Sequence, residues 1–140
     1  MSSTSANRKA FITGLIKFMD TYGFDGVDLD WEYPQADDRG GATADTANYV
    51  SLVKDMRAAF GTKYGITVTL PTSYWYLQNF DLVGMQSSVD WFNLMSYDCK
   101  SRSLHLVVKV LSHVNSARRL GCRIKEYRTI HRTTYQHHGN

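Results

Sequence analysis

Cysteine is scarce in this chain, with two residues among 140, so no disulfide scaffold holds it together. No apolar run approaches the roughly 18 residues that a membrane helix needs, and no membrane partner is expected. The opening Met1-Ser-Ser-Thr-Ser-Ala-Asn-Arg-Lys9 is polar where an export signal would carry an apolar stretch, so no signal peptide is expected as written. Internal repeats and low-complexity segments are lacking. What is there suits a globular protein of at most one domain, with 43% hydrophobic and 21% charged residues.

The net charge of +3 conceals an asymmetry. Residues 1–98 hold seven Lys and Arg against twelve Asp and Glu, a balance of −5; residues 99–140 hold nine against one, a balance of +8. All five histidines and both cysteines also fall in the second part. The basic character belongs to the tail alone, so nucleic-acid binding is not expected of the chain as a whole. His105, His113, His137 and His138, with Cys99 and Cys122, lack zinc-ligand spacing, and no metal or cofactor is expected.

The first 98 residues alternate between helical and strand periods. Phe11, Leu15, Phe18 or Met19, and Tyr22 recur at helical spacing, widened by Ile12 and Ile16, with Ser5 as the expected cap and Gly23 as the stop. Phe24 to Glu32 alternates acidic and apolar residues and predicts a strand. Pro34 and the stretch Gln35 to Thr43 predict a loop. A second helix carries Tyr49, Leu52 or Val53, Met56 and Phe60 on one face and ends at Gly61. Ile66 to Leu70 is a β-branched strand halted by Pro71. Gln78 to Met85 predicts a short helix, and Val89 to Tyr97 a third strand. This order predicts an α/β fold with a parallel sheet. Leu104 to Val110 fits strand and helix equally well, and from Arg123 onward the polar, basic run predicts disorder.

Asp28, Asp30 and Glu32 stand at i, i+2 and i+4, which on a strand puts all three on one face and Val27, Leu29 and Trp31 on the other. Neighbouring carboxylates are then about 6.6 Å apart. At an effective dielectric near 20 they repel by roughly 2.5 kcal/mol, so one of the three should keep its proton near neutral pH. A protonated carboxyl beside ionised partners is what a general acid requires. Glu32 is the natural acid, at the C-terminal mouth where parallel α/β folds bind ligands; Asp28, deeper, polarises Asp30. Two other readings stay open at this point. An acidic edge strand could simply be solvated, and aspartates can gather a divalent ion, although no phosphate loop accompanies these. Tyr74, Trp75 and Tyr76 either present flat rings to a ligand or anchor the next helix.

Residues 24–34, Phe-Asp-Gly-Val-Asp-Leu-Asp-Trp-Glu-Tyr-Pro, resemble the signature Asp-x-x-Asp-x-Asp-x-Glu of family 18 glycoside hydrolases, the chitinases. Met95-Ser96-Tyr97-Asp98 is similar to the family's Met-x-Tyr-Asp, and ADTANYVSLVKDMRAAFG and TVTLPTSYWYLQNFDLVGM resemble its fungal branch. The resemblance implies a (β/α)₈ TIM barrel, here in part, with the three strands as its fourth to sixth. It also implies substrate-assisted retaining hydrolysis of β-1,4-linked N-acetylglucosamine, with chitin or chito-oligosaccharide as partner and an extracellular setting. Glu32 would then protonate the glycosidic oxygen while the substrate's acetamide oxygen attacks. Asp30 would orient the acetamide, Asp28 would support Asp30, and Tyr97 would hydrogen-bond the acetamide oxygen. Asp25, Tyr33, Met95, Asp98 and Trp75 would complete the substrate site.

A barrel of this kind takes about 250 residues. Residues 1–98 are therefore expected to be a partial catalytic domain, and residues 99–140 an irregular basic tail outside the family pattern, arising from a changed reading frame or a retained intron. An open sheet leaves unpaired edges, which predicts self-association of the chain.

Overall fold

The computed structural model describes residues 1–96 and 123–126. Helix α1 (Ser5–Tyr22) leads into β1 (Gly26–Leu29), and α2 (Asp45–Phe60) into β2 (Gly65–Pro71). Two single-turn helices follow, α3 (Tyr74–Leu77) and α4 (Leu82–Met85), then β3 (Trp91–Met95) and β4 (Arg123–Glu126). The four strands form one parallel sheet in the order β1-β2-β3-β4. This is the α/β arrangement with a parallel sheet that the alternating periods predict.

Thr4, not Ser5, caps α1: its hydroxyl accepts from the Asn7 amide at 3.2 Å, and Ser5 is already helical. Gly23 adopts φ 73° at the other end and its N–H returns to the Met19 carbonyl, a left-handed stop that suits glycine. The buried stripe of α1 also differs from expectation. Ile12 and Met19 are buried and Leu15 and Ile16 pack against the core, while Phe18 and Tyr22 lie outside it. A helix packed against a sheet on one side and a neighbouring helix on another selects one edge of a broad apolar stripe. In α2 the expected Tyr49, Met56 and Phe60 are buried, and so are both Leu52 and Val53.

Strand β1 ends at Leu29 and does not run on to Glu32. Among the described residues it pairs on one side only, with β2, from Gly26↔Gly65 to Leu29↔Val68. Past that ladder the Leu29 carbonyl accepts from the Tyr49 hydroxyl at 3.2 Å, and the chain leaves toward Pro34, which has no N–H to pair. At the start of the strand a Cβ on Gly26 would stand 2.5 Å from the Gly65 carbonyl oxygen, so this pairing needs glycine. Strand β2 likewise includes Pro71 as its last residue, in register with Met95.

The basic region is corrected at one place. Arg123–Glu126, expected to be disordered, forms a strand parallel to β3, with Trp91↔Arg123 through Leu94↔Glu126 in register. Backbone pairing requires no apolar periodicity in the incoming segment, and the outer edge of β3 offers a free ladder. The expectations for Leu104 to Val110 and for the rest of the tail lie outside the described residues.

Among the described residues helices cover one face of the sheet and none covers the other. Ile66, Val68, Leu70, Phe92 and Leu94 are buried on the helix side, where Val27, Leu29 and Trp31 also pack. The opposite face carries Asp28, Thr67, Thr69, Asn93 and Met95, and the candidate chemistry lies there.

Candidate active site

Asp28 sits in the middle of β1, and its register partner on β2 is Thr67. The Thr67 hydroxyl donates to one carboxylate oxygen, the Thr69 hydroxyl to the other at 2.6 Å, and Asn93 Nδ2 donates from β3 at 2.9 Å. Asp28 is thus fixed by three side chains from two neighbouring strands. These three partners are not evident from motif reading. The period-two threonines of Ile66-Thr-Val-Thr-Leu70 are the signal that could have found two of them, because both must share a face.

Asp30 and Glu32 follow beyond the strand end, and both are exposed, as is Asp28. They nevertheless act on one another. The Asp30 carboxyl is held above the usual carboxylate range, first by burial and then by the charges of Glu32 and Asp28. The crowding expected of the row thus acts, after burial, on its middle member, Asp30. An open face accounts for the exposure: among the described residues no element covers the side of the sheet from which these groups project.

Tyr33, next to Glu32 in the chain, is half-buried. Burial first, then the neighbouring Glu32 carboxylate, pushes its phenol up to about 12. Its ring stacks on Tyr76 of α3, with centroids 4.0 Å apart and planes 17° from parallel. On the helix side Tyr49 is buried against Trp31 and Phe80, and burial, then the charges of Asp28 and Asp30, raise its phenol above the ordinary value. Leu29, Asp30, Trp31, Glu32, Tyr49 and Leu52, with Met1 and Ser2, line a cleft of about 360 Å³ at the end of β1.

The other expected site residues fall into three groups. Met95 is half-buried on the same face as Asn93, at the end of β3, and belongs with the cluster. Trp75 lies on α3, 69% exposed, near the same end of the sheet through its neighbour Tyr76 but not packed in the cluster. Asp25 stands apart: it precedes β1, at the end of the strand away from Glu32, where its backbone carbonyl accepts from the Gly65 amide at 2.8 Å. Tyr97 and Asp98 lie outside the described residues. No group of His, Cys, Asp and Glu fit to hold a metal ion occurs among the described residues.

A parallel α/β sheet with an acidic row climbing to the C-terminal end of its first strand is an arrangement suited to acid catalysis on a bound ligand. The family model for glycosyl hydrolases family 18 matches residues 1–137, and the chain belongs to that family. It is 39% identical over 99 residues to the killer toxin subunits alpha/beta of Kluyveromyces lactis, covering 68% of this chain and 9% of that protein. It is 34% identical over 104 residues to an endochitinase of Manduca sexta, covering 71% and 19%. The solved structure of a family 18 N-acetylglucosaminidase from Paenibacillus barengoltzii superposes with a TM-score of 0.64 at 32% identity, covering 69% of this chain and 31% of that one. The chain therefore spans less than a third of the length of each of these relatives.

Proposed function

We propose that this chain is part of a chitinase-type glycosidase that cleaves β-1,4-linked N-acetylglucosamine by substrate-assisted retaining hydrolysis. The observation that supports it is the acidic row itself. Asp28 is tethered by Thr67, Thr69 and Asn93, and Asp30 is held above the usual carboxylate range by burial first and then by the charges of Glu32 and Asp28. Glu32 is the outermost member, where a glycosidic oxygen can approach, and donates the proton to the leaving group. The acetamide oxygen of the sugar attacks the anomeric carbon in place of a second carboxylate, a departure from the two-carboxylate scheme. Asp30 orients the acetamide N–H and offsets the positive charge that develops, and Asp28 sets the state of Asp30.

Tyr97 supplies the hydrogen bond to the acetamide oxygen in this reading. Tyr33, Met95, Asp98 and Trp75 contact the sugars; Trp75 has the exposure and the flat face that stacking requires. Asp25 stays in the substrate set only as a family position, since its place at the far end of β1 favours a structural part. The substrate is a chitin-like polymer met outside the cell. Residues 1–98 carry the catalytic lineage, with Arg123–Glu126 adding a strand to the same sheet.

Release of chromophore from a chitobioside by this chain and by Glu32→Gln tests the reading. Turnover that is lost in Glu32→Gln is the expected result. Equal rates remove Glu32 from the mechanism, binding of chito-oligosaccharide without turnover makes the chain a lectin-like module, and neither makes it an inert fragment.

A further inference from the structure

Beyond the acidic row, the mouth of β1 is braced by a contact between two loops that the mechanism above does not use. The loop after β1 carries Tyr33 and the 3₁₀ turn Asp37–Arg39, closed by the Gly41 amide on the Ala36 carbonyl at 2.9 Å. The segment after β2 carries α3, whose third residue is Tyr76. The Tyr33 ring lies against Tyr76, with 4.0 Å between centroids, and the Arg39 guanidinium is 5.8 Å from the Tyr33 ring centre. The Tyr76 hydroxyl donates to Asp38 at 2.8 Å, and the same Asp38 oxygen is 3.6 Å from Arg39 Nε. Tyr33 in turn is the residue that directly follows Glu32 in the chain.

These contacts lead from α3 to the residue beside the acid. Glu32 projects from a segment past the end of β1, where no sheet ladder fixes it. A general acid must be placed to within a fraction of an ångström of the oxygen it protonates. We propose that Tyr76 is a positioning residue for Glu32: its ring fixes Tyr33, and with it the backbone from which the preceding acid projects. Tyr76 touches neither the sugar nor the reacting atoms. The inference rests on the catalytic reading of Glu32 given above.

Steady-state hydrolysis of the chromogenic chitobioside by the full chain tests it, with Glu32→Gln as the reference for loss of the acid. Tyr76→Leu removes the ring stack and is expected to lower kcat roughly tenfold or more while KM stays within about threefold, the pattern of a misplaced catalytic group. Tyr76→Phe keeps the stack and is expected to stay within about twofold of the parent, a rescue that a loss of general stability would not single out. Should Tyr76→Leu lose its near-ultraviolet circular dichroism, the double variant Asp38→Ala/Arg39→Ala carries the test. It strips the exposed polar brace and is expected to cost roughly threefold or more in kcat alone. A folded Tyr76→Leu, or the double variant, within twofold of the parent kcat overturns the inference while Glu32→Gln remains dead. So does an effect confined to KM. A parent no faster than Glu32→Gln overturns the catalytic reading, and the positioning role with it.

Discussion

Asp28 on β1 accepts a hydrogen bond from Asn93 on β3 at 2.9 Å, across the width of the intervening strand. A carboxylate is the smallest side chain that can also receive both threonine hydroxyls of β2, and so it cross-links three strands on the open face. Asp28→Ala leaves two largely buried hydroxyls and an amide without their acceptor and is expected to cost about 2 kcal/mol; Asp28→Asn, which keeps the shape, is expected to cost about 1 kcal/mol. Urea denaturation of the three proteins checks both figures. Hydrolysis should fall in both variants, because neither keeps the charge beside Asp30.

Asp30 gives a prediction in pH. Its folded value lies above that of a free carboxylate, so the folded chain binds this proton more tightly than the unfolded chain does. The contribution to stability is complete below the ordinary carboxylate value near 3.9 and is lost as pH rises through the raised one. Asp30→Asn removes the burden of an ionised carboxyl between two others. It is expected to raise the stability at pH 7 by less than about 1 kcal/mol, since the site opens to solvent and screening is strong, and to leave it unchanged near pH 3. Thermal melts at the two pH values check this. A variant that is more stable yet inactive is the trade expected where function crowds like charges together.

How much of this was legible depended on whether one neighbour or several decided the outcome. Helix α2 buries the residues its period nominates, because Tyr49, Leu52, Val53, Met56 and Phe60 all face one sheet. The acidic residues were legible as an alternating run, but the strand that would line all three up on one face ends at Leu29, before Asp30 and Glu32. That end was not legible, since it depends on Tyr49, twenty residues on, taking the Leu29 carbonyl. Nor were Thr67, Thr69 and Asn93, whose role exists only once the register of three strands is set. Arg123–Glu126 pairs through its backbone, and no side-chain pattern announces that.

Arg57 offers a test of the frame beneath the site. Its guanidinium donates to the carbonyls of Ser88, Gly61 and Tyr64 at 3.0, 2.9 and 3.2 Å, and to Asp90 at 2.8 Å. Asp90 also accepts from the Ile66 amide at 2.7 Å, so one fork ties the end of α2 to the entries of β2 and β3. A lysine carries the charge but lacks the planar set of five donors. Arg57→Lys is expected to cost about 2 kcal/mol, read as a lower urea midpoint with an unchanged slope. Loss below about 0.5 kcal/mol would mean that water replaces the missing donors.

The outer edge of β1 predicts how the chain behaves in solution. Among the described residues β1 pairs only with β2, which leaves one row of its backbone groups unpaired in the sheet. Ahead of β1, at the end of α1 and in the turn after it, Phe18, Tyr22 and Phe24 form an aromatic run, with centroids 4.8 and 5.5 Å apart, and they are 50%, 68% and 52% exposed. An open strand edge and exposed rings are surfaces that other chains cover. Light scattering after size exclusion is expected to give a mass above the 16.0 kDa of one chain, rising with concentration. Phe18→Lys with Tyr22→Lys places charge on the exposed side of α1 without touching Ile12 or Met19 in the core, and should move the mass back toward the monomer. A parent that elutes as a monomer at every concentration would show that its edge is already protected.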